Sequence, residues 1–511
     1  MGNKIFKGTL IIVFVGIFAK FAAFVSGVVL AAYLGTTYQS DAYYMISGVH
    51  AVVYPMMSVG IWKIFLPLYK SHITKKENDI ADSLTNKSLS FFTTISLVVV
   101  LLLFIFAPFV VSVVAPGFEG KTRNLCIKLI RISAPMYMFI IASSVYASML
   151  QCHNKFLGSQ IREVASHIPT IIGAIFFYSS FGIEAMAIAL VVAGFVRLLI
   201  EIPFVDWNYK FQPDFNFKSS EFTLILKRLP SALVSAGVAE CNALVDKAMS
   251  SMLSTGTVSC LNYGQKLTNV CSGLLSSAIS TALYPQMIEL IALDKRDELG
   301  RLVVKIVNLF CVLMIPVTIG GVLFRIEIVS AVFQRGAFDA NSTALTANIF
   351  ALYCLGLFFI ACNTIISNIF YGFGDTKTPM YIGIAHLVIN VILNLVFIHF
   401  WGVNGLAFAT SMSAIITFFI RFSVVRKYIE LNQNIVVVTG IKVLLASAIA
   451  FGVPRFFFWS YTVNKYLMLV ITVIVGLILY LVSIKLLKVR ELDDLFNLFW
   501  QKMKIRSQIR R

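Results

Sequence analysis

Apolar runs of about 20 residues recur along the whole chain, separated by short polar breaks, and no soluble fold has a use for so many of them. At a rise of 1.5 Å per residue, each run makes a helix that crosses a hydrocarbon core of roughly 30 Å. Composition agrees, with 59% of the 511 residues hydrophobic and only 13% charged, where a water-soluble domain carries about 25% charged residues. Lipid offers no partner to a backbone amide, so a spanning segment is a helix or part of a closed barrel. Continuous apolar runs without period-two alternation leave the helix. The expected fold is an all-α polytopic membrane protein of about fourteen transmembrane helices, near residues 8–34, 41–69, 84–115, 125–150, 160–180, 184–206, 222–253, 257–290, 299–323, 341–370, 379–400, 405–425, 436–460 and 465–487.

The first seven residues lead into an apolar stretch of helix length without a small-residue cleavage site, so the first helix is expected to remain as an anchor. Eight cysteines stand singly, with no pair or Cys/His cluster at metal-ligand spacing, and read as small packing residues. The formal net charge of +18 lies on loops and on the tail 485–511. It reads as a basic cytoplasmic rim facing anionic lipid, not as a nucleic-acid surface. With the N-terminus inside, about 30 of the 42 basic residues fall on the cytoplasmic side and about 8 outside, which is the positive-inside bias. Both termini are therefore expected to be cytoplasmic.

The chain also resembles itself. Leu34-Gly35-Thr36-Thr37 leads on to Tyr44, and Leu253-Ser254-Thr255-Gly256 leads on to Tyr263 at the same spacing; each tyrosine lies near the start of a helix that ends in a proline step, Leu66-Pro67 and Tyr284-Pro285. Gly182-Ile183-Glu184-Ala185-Met186-Ala187 is echoed by Gly402-Val403-Asn404-Gly405-Leu406-Ala407, again roughly 220 residues later. Six helices separate equivalent positions, an even number, so the two halves share one orientation and form a parallel repeat. The organisation expected is a six-helix lobe over 1–210, a second over 211–430, two extra transmembrane helices over 431–490 and a basic cytoplasmic tail over 491–511. Two such lobes can open a cleft to one side of the membrane at a time.

A charge near the centre of a helix costs at least ~2.5 to 3.5 kcal/mol on insertion scales, so each one needs a partner or a watery cavity. Lys20, Lys63, Glu240, Asp246, Lys247 and Lys266 fall in the first two helices of each half, with Asp41 at the start of the second helix and His50 and Asn242 as polar companions. Lys20, Lys63 and Lys266 suit an anionic head group, with Asp41, Glu240 and Asp246 completing the candidate cavity. The structural alternative is that Glu240 neutralises Lys20 or Lys266 and Lys247 snorkels outward. No catalytic or metal-ligating constellation is present in the sequence. The loop Gln334-Arg335-Gly336-Ala337-Phe338-Asp339 precedes a capped helix start, and Gly372-Phe373-Gly374-Asp375-Thr376-Lys377-Thr378-Pro379 is a turn with Asp375 as a cap and Pro379 in a first helical turn.

These two segments, with Asn262-Tyr263-Gly264-Gln265-Lys266-Leu267 and Ala282-Leu283-Tyr284-Pro285, resemble the MurJ (MviN) family of lipid II flippases in the MOP exporter superfamily; the likeness covers roughly residues 250–430. Arg335, Asp339, Asp375 and Lys377 are the charged residues of its motif loops here. In the first half, Gly35 and Asp41-Ala42-Tyr43-Tyr44 fit the family pattern. Lys20 and Ser26 stand where its first helix usually carries two arginines, no basic residue lies near Tyr54, and Lys266 replaces an arginine.

The resemblance implies a transporter, not an enzyme: a flippase moving a polyprenyl-diphosphate-linked cell-wall precursor from the inner to the outer leaflet for peptidoglycan synthesis. The diphosphate would be held by Lys20 and Lys266, and the prenyl tail would lie beside residues 436–487. No cofactor is expected, the drive being the membrane potential or a cation. The expected partners are the lipid-linked glycan, membrane lipids and cell-wall synthesis proteins, but no nucleic acid, with the chain a monomer. The alternatives are a flippase for another lipid-linked oligosaccharide, which the missing arginines favour, and a multidrug exporter, which would prefer acidic cavity residues. A membrane-bound transferase is disfavoured, since His72, His153 and His167 are dispersed and no loop reaches catalytic size.

Overall fold

The computed structural model describes residues 2–205, 209–458 and 465–489, and every regular element among them is a helix. The tail 491–511 lies outside the described residues. Each of the fourteen expected spans is met by a helix: α1 Gly2–Leu34, α2 Tyr38–Lys75, α3 Asn78–Val114, α4 Gly120–Ser133 with Met136–Cys152, α5 Phe156–Phe181, α6 Glu184–Phe204, α7 Ser220–Ser250, α8 Thr257–Ala292, α9 Arg296–Leu323, α10 Ala340–Cys354 with Leu357–Gly372, α11 Lys377–Trp401, α12 Val403–Val425, α13 Gln433–Phe458 and α14 Lys465–Leu486. A short helix, Arg325–Phe333, follows α9. Among the described residues, ten helices are long and apolar enough to cross a membrane, and the bent pairs α4 and α10, each counted as one span, bring the number to 12. The remaining two, α7 and α8, are 31 and 36 residues long but are interrupted by Glu240, Asn242, Asp246 and Lys266.

Large apolar side chains stand on the outside as well as in the core, as a lipid-facing surface requires. Leu101, Phe104, Ile105 and Phe109 of α3 stand exposed, as do Ile392 and Leu395 of α11, Leu444 and Ile449 of α13, and Ile474 and Ile478 of α14. Several buried polar groups bond across helices, Ser26 to Thr170 and His50 to Tyr137 and Ser133 among them, since lipid leaves them no other partner. Cys126, Cys152, Cys260, Cys311, Cys354 and Cys362 are buried and all eight cysteines are free, in keeping with a packing role.

The internal repeat is written in the backbone as well as in the sequence. Left-handed residues end or join helices at Gly35, Lys76, Asn154 and Gly182, and again, roughly 220 residues on, at Gly256, Asp294, Gly374 and Gly402. Such φ values are costly for most residues and mark turns that the fold requires. The bends agree too, 42° in α4 and 43° in α10. Among the described residues two helices carry π turns, Ile61–Phe65 in α2 and Gly173–Phe177 in α5, each widening its helix by one residue.

The chain divides into two compact units, and the division falls elsewhere than at the repeat boundary near residue 210. One unit holds residues 1–263 together with 335–342; the other holds 264–334 and the chain from 343 onward. The first therefore contains the first repeat, all of α7, the start of α8 and the loop before α10. In the second unit, α9, α10 and α12 bury a core around Phe310, Ile366 and Phe370. A second cluster joins Val312 and Phe324 to α13 and α14 through Val443, Phe451 and Tyr480.

Candidate functional site

Within the first unit, the turn between α1 and α2 is tied to the turn between α7 and α8. Thr37 caps α2, accepting from Ser40 N at 3.3 Å, which places Asp41 one turn further on. Asp41 Oδ1 accepts from Ser259 N at 2.8 Å and from Ser259 Oγ at 2.5 Å, while Oδ2 accepts from Gly256 N at 2.5 Å. A carboxylate on one helix thus satisfies the first free amides of another, where the helix dipole also favours negative charge. Ser40 Oγ and Ser259 Oγ lie 2.7 Å apart, and Tyr263 Oη donates to Gly35 O at 3.1 Å.

The loop 335–342 closes over this knot. Ala337 N donates to Ala32 O at 2.7 Å, Thr36 Oγ1 bonds Ser342 Oγ at 2.6 Å, and the Phe338 ring meets Tyr263 edge-on with centroids 5.3 Å apart. Backbones approach so closely that side chains do not fit. A Cβ at Gly336 would lie 2.2 Å from Ala32 O, one at Gly35 2.3 Å from Ala337 O, and one at Gly256 2.6 Å from Thr36 O. Asp339 Oδ1 accepts from Ser342 N at 2.8 Å, the expected cap of α10, and these local bonds hold its carboxyl below the usual range. Arg335 is exposed at the tip.

The sequence-selected residues divide in their placement. Asp41 was grouped with the head-group cavity, but it is 2% exposed and both its oxygens are engaged at the α8 start; its chemistry here is to hold two turns together. Lys247 does not snorkel outward: it is buried, and its Nζ donates to Tyr44 O at 3.2 Å, in space left by Gly48, where a Cβ would touch the lysine at 3.0 Å. Asp246 is buried beside it, and Glu240 and Asn242 are half-buried on α7. His50 is buried, joining α2 to the bend of α4 through Tyr137 Oη at 2.6 Å and Ser133 Oγ at 2.9 Å.

Lys20 is exposed on α1, and Lys63 is exposed on the π turn of α2. Lys266 is half-buried on α8 in the second unit. Ser26, six residues beyond Lys20, faces α5, with its Oγ 3.0 Å from Thr170 Oγ1. Asp375 caps α11 as expected: Oδ1 accepts from Lys377 N and Thr378 N, each at 3.0 Å, and Oδ2 from Tyr428 Oη at 2.8 Å. Lys377 is exposed and Pro379 lies in the first turn.

One group of charges escaped the sequence reading. Arg162 of α5 is 3% exposed and donates to Ser143 Oγ at 3.0 Å, with Glu201 Oε1 of α6 3.2 Å away. Glu163 pairs with Arg197. The Arg162 guanidinium sits 5.7 Å above the Trp62 ring of the π turn, and that of Arg197 5.7 Å above Tyr54. A cation does reach the neighbourhood of Tyr54, but from α6. These residues lie toward the ends of their apolar runs, where a hydropathy reading treats charge as the onset of a loop.

Comparison with known proteins follows the same lines. A family model described as "Lipid II flippase MurJ" matches residues 30–486. A probable lipid II flippase MurJ of Thermotoga maritima is 24% identical over 486 residues, covering 94% of this chain and 96% of the relative. One from Rickettsia prowazekii is 23% identical over 510 residues, covering 96% and 99%. Among solved structures, a lipid II flippase MurJ in an inward closed conformation superposes with a TM-score of 0.79 at 23% identity, over 92% of this chain and 97% of that one. An inward-facing multidrug resistance MATE transporter of the MOP superfamily gives 0.64 at 14% identity, over 80% and 94%, a likeness of fold alone.

Proposed function

Because the chain belongs to the lipid II flippase MurJ family, we propose that it moves lipid II, a polyprenyl-diphosphate-linked peptidoglycan precursor, from the inner to the outer leaflet of a bacterial cytoplasmic membrane. The observation that carries this reading is the family match across residues 30–486, which takes in thirteen of the fourteen helices whole and the last turns of α1. The protein is a transporter and not an enzyme.

The positive-inside bias supports an orientation with both termini in the cytoplasm and the α1–α2 and α7–α8 turns outside. On that orientation the Asp41 knot is the closed outer gate of an alternating-access cycle, and delivery requires its bonds to break. The candidate point charges for the diphosphate are Lys20, Lys63 and Lys266, while the prenyl chain stays in lipid beside α13 and α14. An inside-negative potential favours outward movement of an anion by about 2.3 kcal/mol per charge per 100 mV traversed; this field or a cation supplies the drive. A multidrug exporter would call for an acidic cavity, yet Asp41, the acid at the start of α2, is spent on capping α8.

The test is complementation of a bacterial strain depleted of its own lipid II flippase. Growth restored by the intact chain supports the reading. Failure despite normal membrane insertion overturns it in favour of another lipid-linked oligosaccharide.

A further inference from the structure

The second unit contains a groove of about 430 Å³ that plays no part in the gate or in the lysine site. It is lined by Arg325, Asn348, Trp401, Asn404 and Phe408, side chains brought together at the end of α9, the first half of α10 and the α11–α12 turn. Gly402 makes that turn with φ +55 and so sets Trp401 and Asn404 on either side of it.

Its polar groups offer donors. Arg325 Nε donates to Asn348 Oδ1 at 3.1 Å and Nη1 to Val322 O at 3.2 Å, so the guanidinium is held in place while an edge remains for a ligand. No carboxylate among the described residues lies within ion-pair distance of it. Glu327, two residues on, is taken by Arg455, with Nη1 to Oε1 3.0 Å. Asn348 and Asn404 contribute amides beside this uncompensated charge. The opposite wall is aromatic: Trp401 stacks on Phe397 with centroids 5.4 Å apart and meets Phe408 edge-on at 5.3 Å. Phe400 and Trp401 are exposed, as belts at the membrane–water boundary are.

We propose that this groove binds the phosphate of a lipid head group at the outer membrane interface. A half-buried cation at that depth is stable only beside an anion or water, a guanidinium fork matches phosphate oxygens, and the aromatic wall continues the lipid-facing surface for the acyl or prenyl chain. The phosphate has two sources, a resident phospholipid or the diphosphate carrier after delivery. The proposal adds a site to the function above and stands whichever glycan is carried.

The test uses the full chain, purified and delipidated in detergent. It is supplied with either phosphatidylglycerol or diacylglycerol of the same acyl composition, and retained lipid is counted by native mass spectrometry. The expected result is retention of phosphatidylglycerol about tenfold above diacylglycerol, a preference lost in Arg325→Gln and cut severalfold in Asn404→Leu, with Arg325→Lys keeping part of it. Because Arg325 also ties down Val322, Asn404→Leu decides the matter if Arg325→Gln fails to fold. Equal retention of the two lipids, or an unchanged preference in the folded variants, overturns the site. Adding a polyprenyl diphosphate then separates the sources: displacement of phosphatidylglycerol identifies a receiving site for the carrier, and no displacement a resident phospholipid.

Discussion

Tyr44 and Tyr263, which hold the same place in the two sequence repeats, meet edge to face with ring centroids 5.1 Å apart and an interplanar angle of 80°. Around this contact the repeat is used asymmetrically. Asp41, three residues before Tyr44, caps α8, whereas Cys260 stands at the corresponding place before Tyr263 and its neighbour Ser259 donates to that cap. One copy supplies the acceptor and the other the donors, which is how two related turns become a latch.

Removing the acceptor should loosen the latch. Asp41→Ala leaves Gly256 N and Ser259 N buried without their partner, a cost of about 1 to 3 kcal/mol, and so shifts the gate toward opening. Cys260 is 1% exposed at this point and is a native reporter. With the other seven cysteines changed to serine, labelling of Cys260 by an impermeant maleimide from outside is expected to rise about tenfold in Asp41→Ala. Unchanged labelling would show that the bonds do not hold the gate.

The glycines of the latch make a steric prediction. Gly336 has φ +58 and no room for a Cβ against Ala32 O. Gly336→Ala is therefore expected to cost more than the roughly 1 to 2 kcal/mol of left-handed strain alone, lowering the thermal midpoint and transport together. Gly320 is helical with nothing within 4 Å of an added Cβ, so Gly320→Ala should be neutral or gain up to about 1 kcal/mol. Equal midpoints for the two variants would count against close packing at the loop.

The spans and the repeat were legible in the sequence because hydropathy, helix length and turn glycines are local properties. Asp375 and Asp339 were legible as caps for the same reason. Asp41 and Lys247 were not: their partners lie more than 200 positions away, and a buried charge gives the same hydropathy signal whether it faces a cavity or another helix. Arg162 and Glu201 were hidden for a related reason, since each sits where an apolar run gives way to polar residues. Ser26 is explained only by Thr170 of α5, a contact that no spacing within α1 announces.

The Arg162–Glu201 pair should behave as a buried ion pair. Arg162→Met strands Glu201, which has 0% exposure, at a cost of about 3 to 5 kcal/mol. The double change Arg162→Met with Glu201→Met replaces both charges with apolar volume and should recover most of that loss. Midpoints in detergent at one scan rate, taken around the full cycle, check this. Additive losses would mean that the two residues do not interact.

Asp375 sets a pH dependence outside the membrane. Its bonds from Thr378 and then from Tyr428 stabilise the carboxylate and lower its pKa from 3.8 to about 2. A lowered carboxyl pKa means that the cap contributes fully above about 4, weakens as pH falls through that value and is gone below about 2. Asp375→Asn, which still caps, should keep the midpoint close to that of the parent at pH 7 and flatten its dependence between pH 4 and pH 2, whereas Asp375→Ala lowers it at neutral pH. A parent protein with no change in slope across that window would contradict the assignment.

The lysine site carries the strongest functional prediction. Lys20 and Lys63 are exposed on α1 and α2, within predominantly apolar helices, where a charge needs a partner, water or an anion near it. If they and Lys266 hold a diphosphate as point charges, then charge matters more than shape, and Lys→Arg should transport where Lys→Ala does not. In a leaflet-accessibility assay of lipid II, Lys20→Ala and Lys266→Ala are each expected to lower flipping about tenfold or more, the scale of one charge-assisted contact. Lys377→Ala, on the exposed α10–α11 turn, should leave it unaltered. Undiminished flipping in both Lys20→Ala and Lys266→Ala would remove the lysines from the path of the substrate while leaving family membership intact.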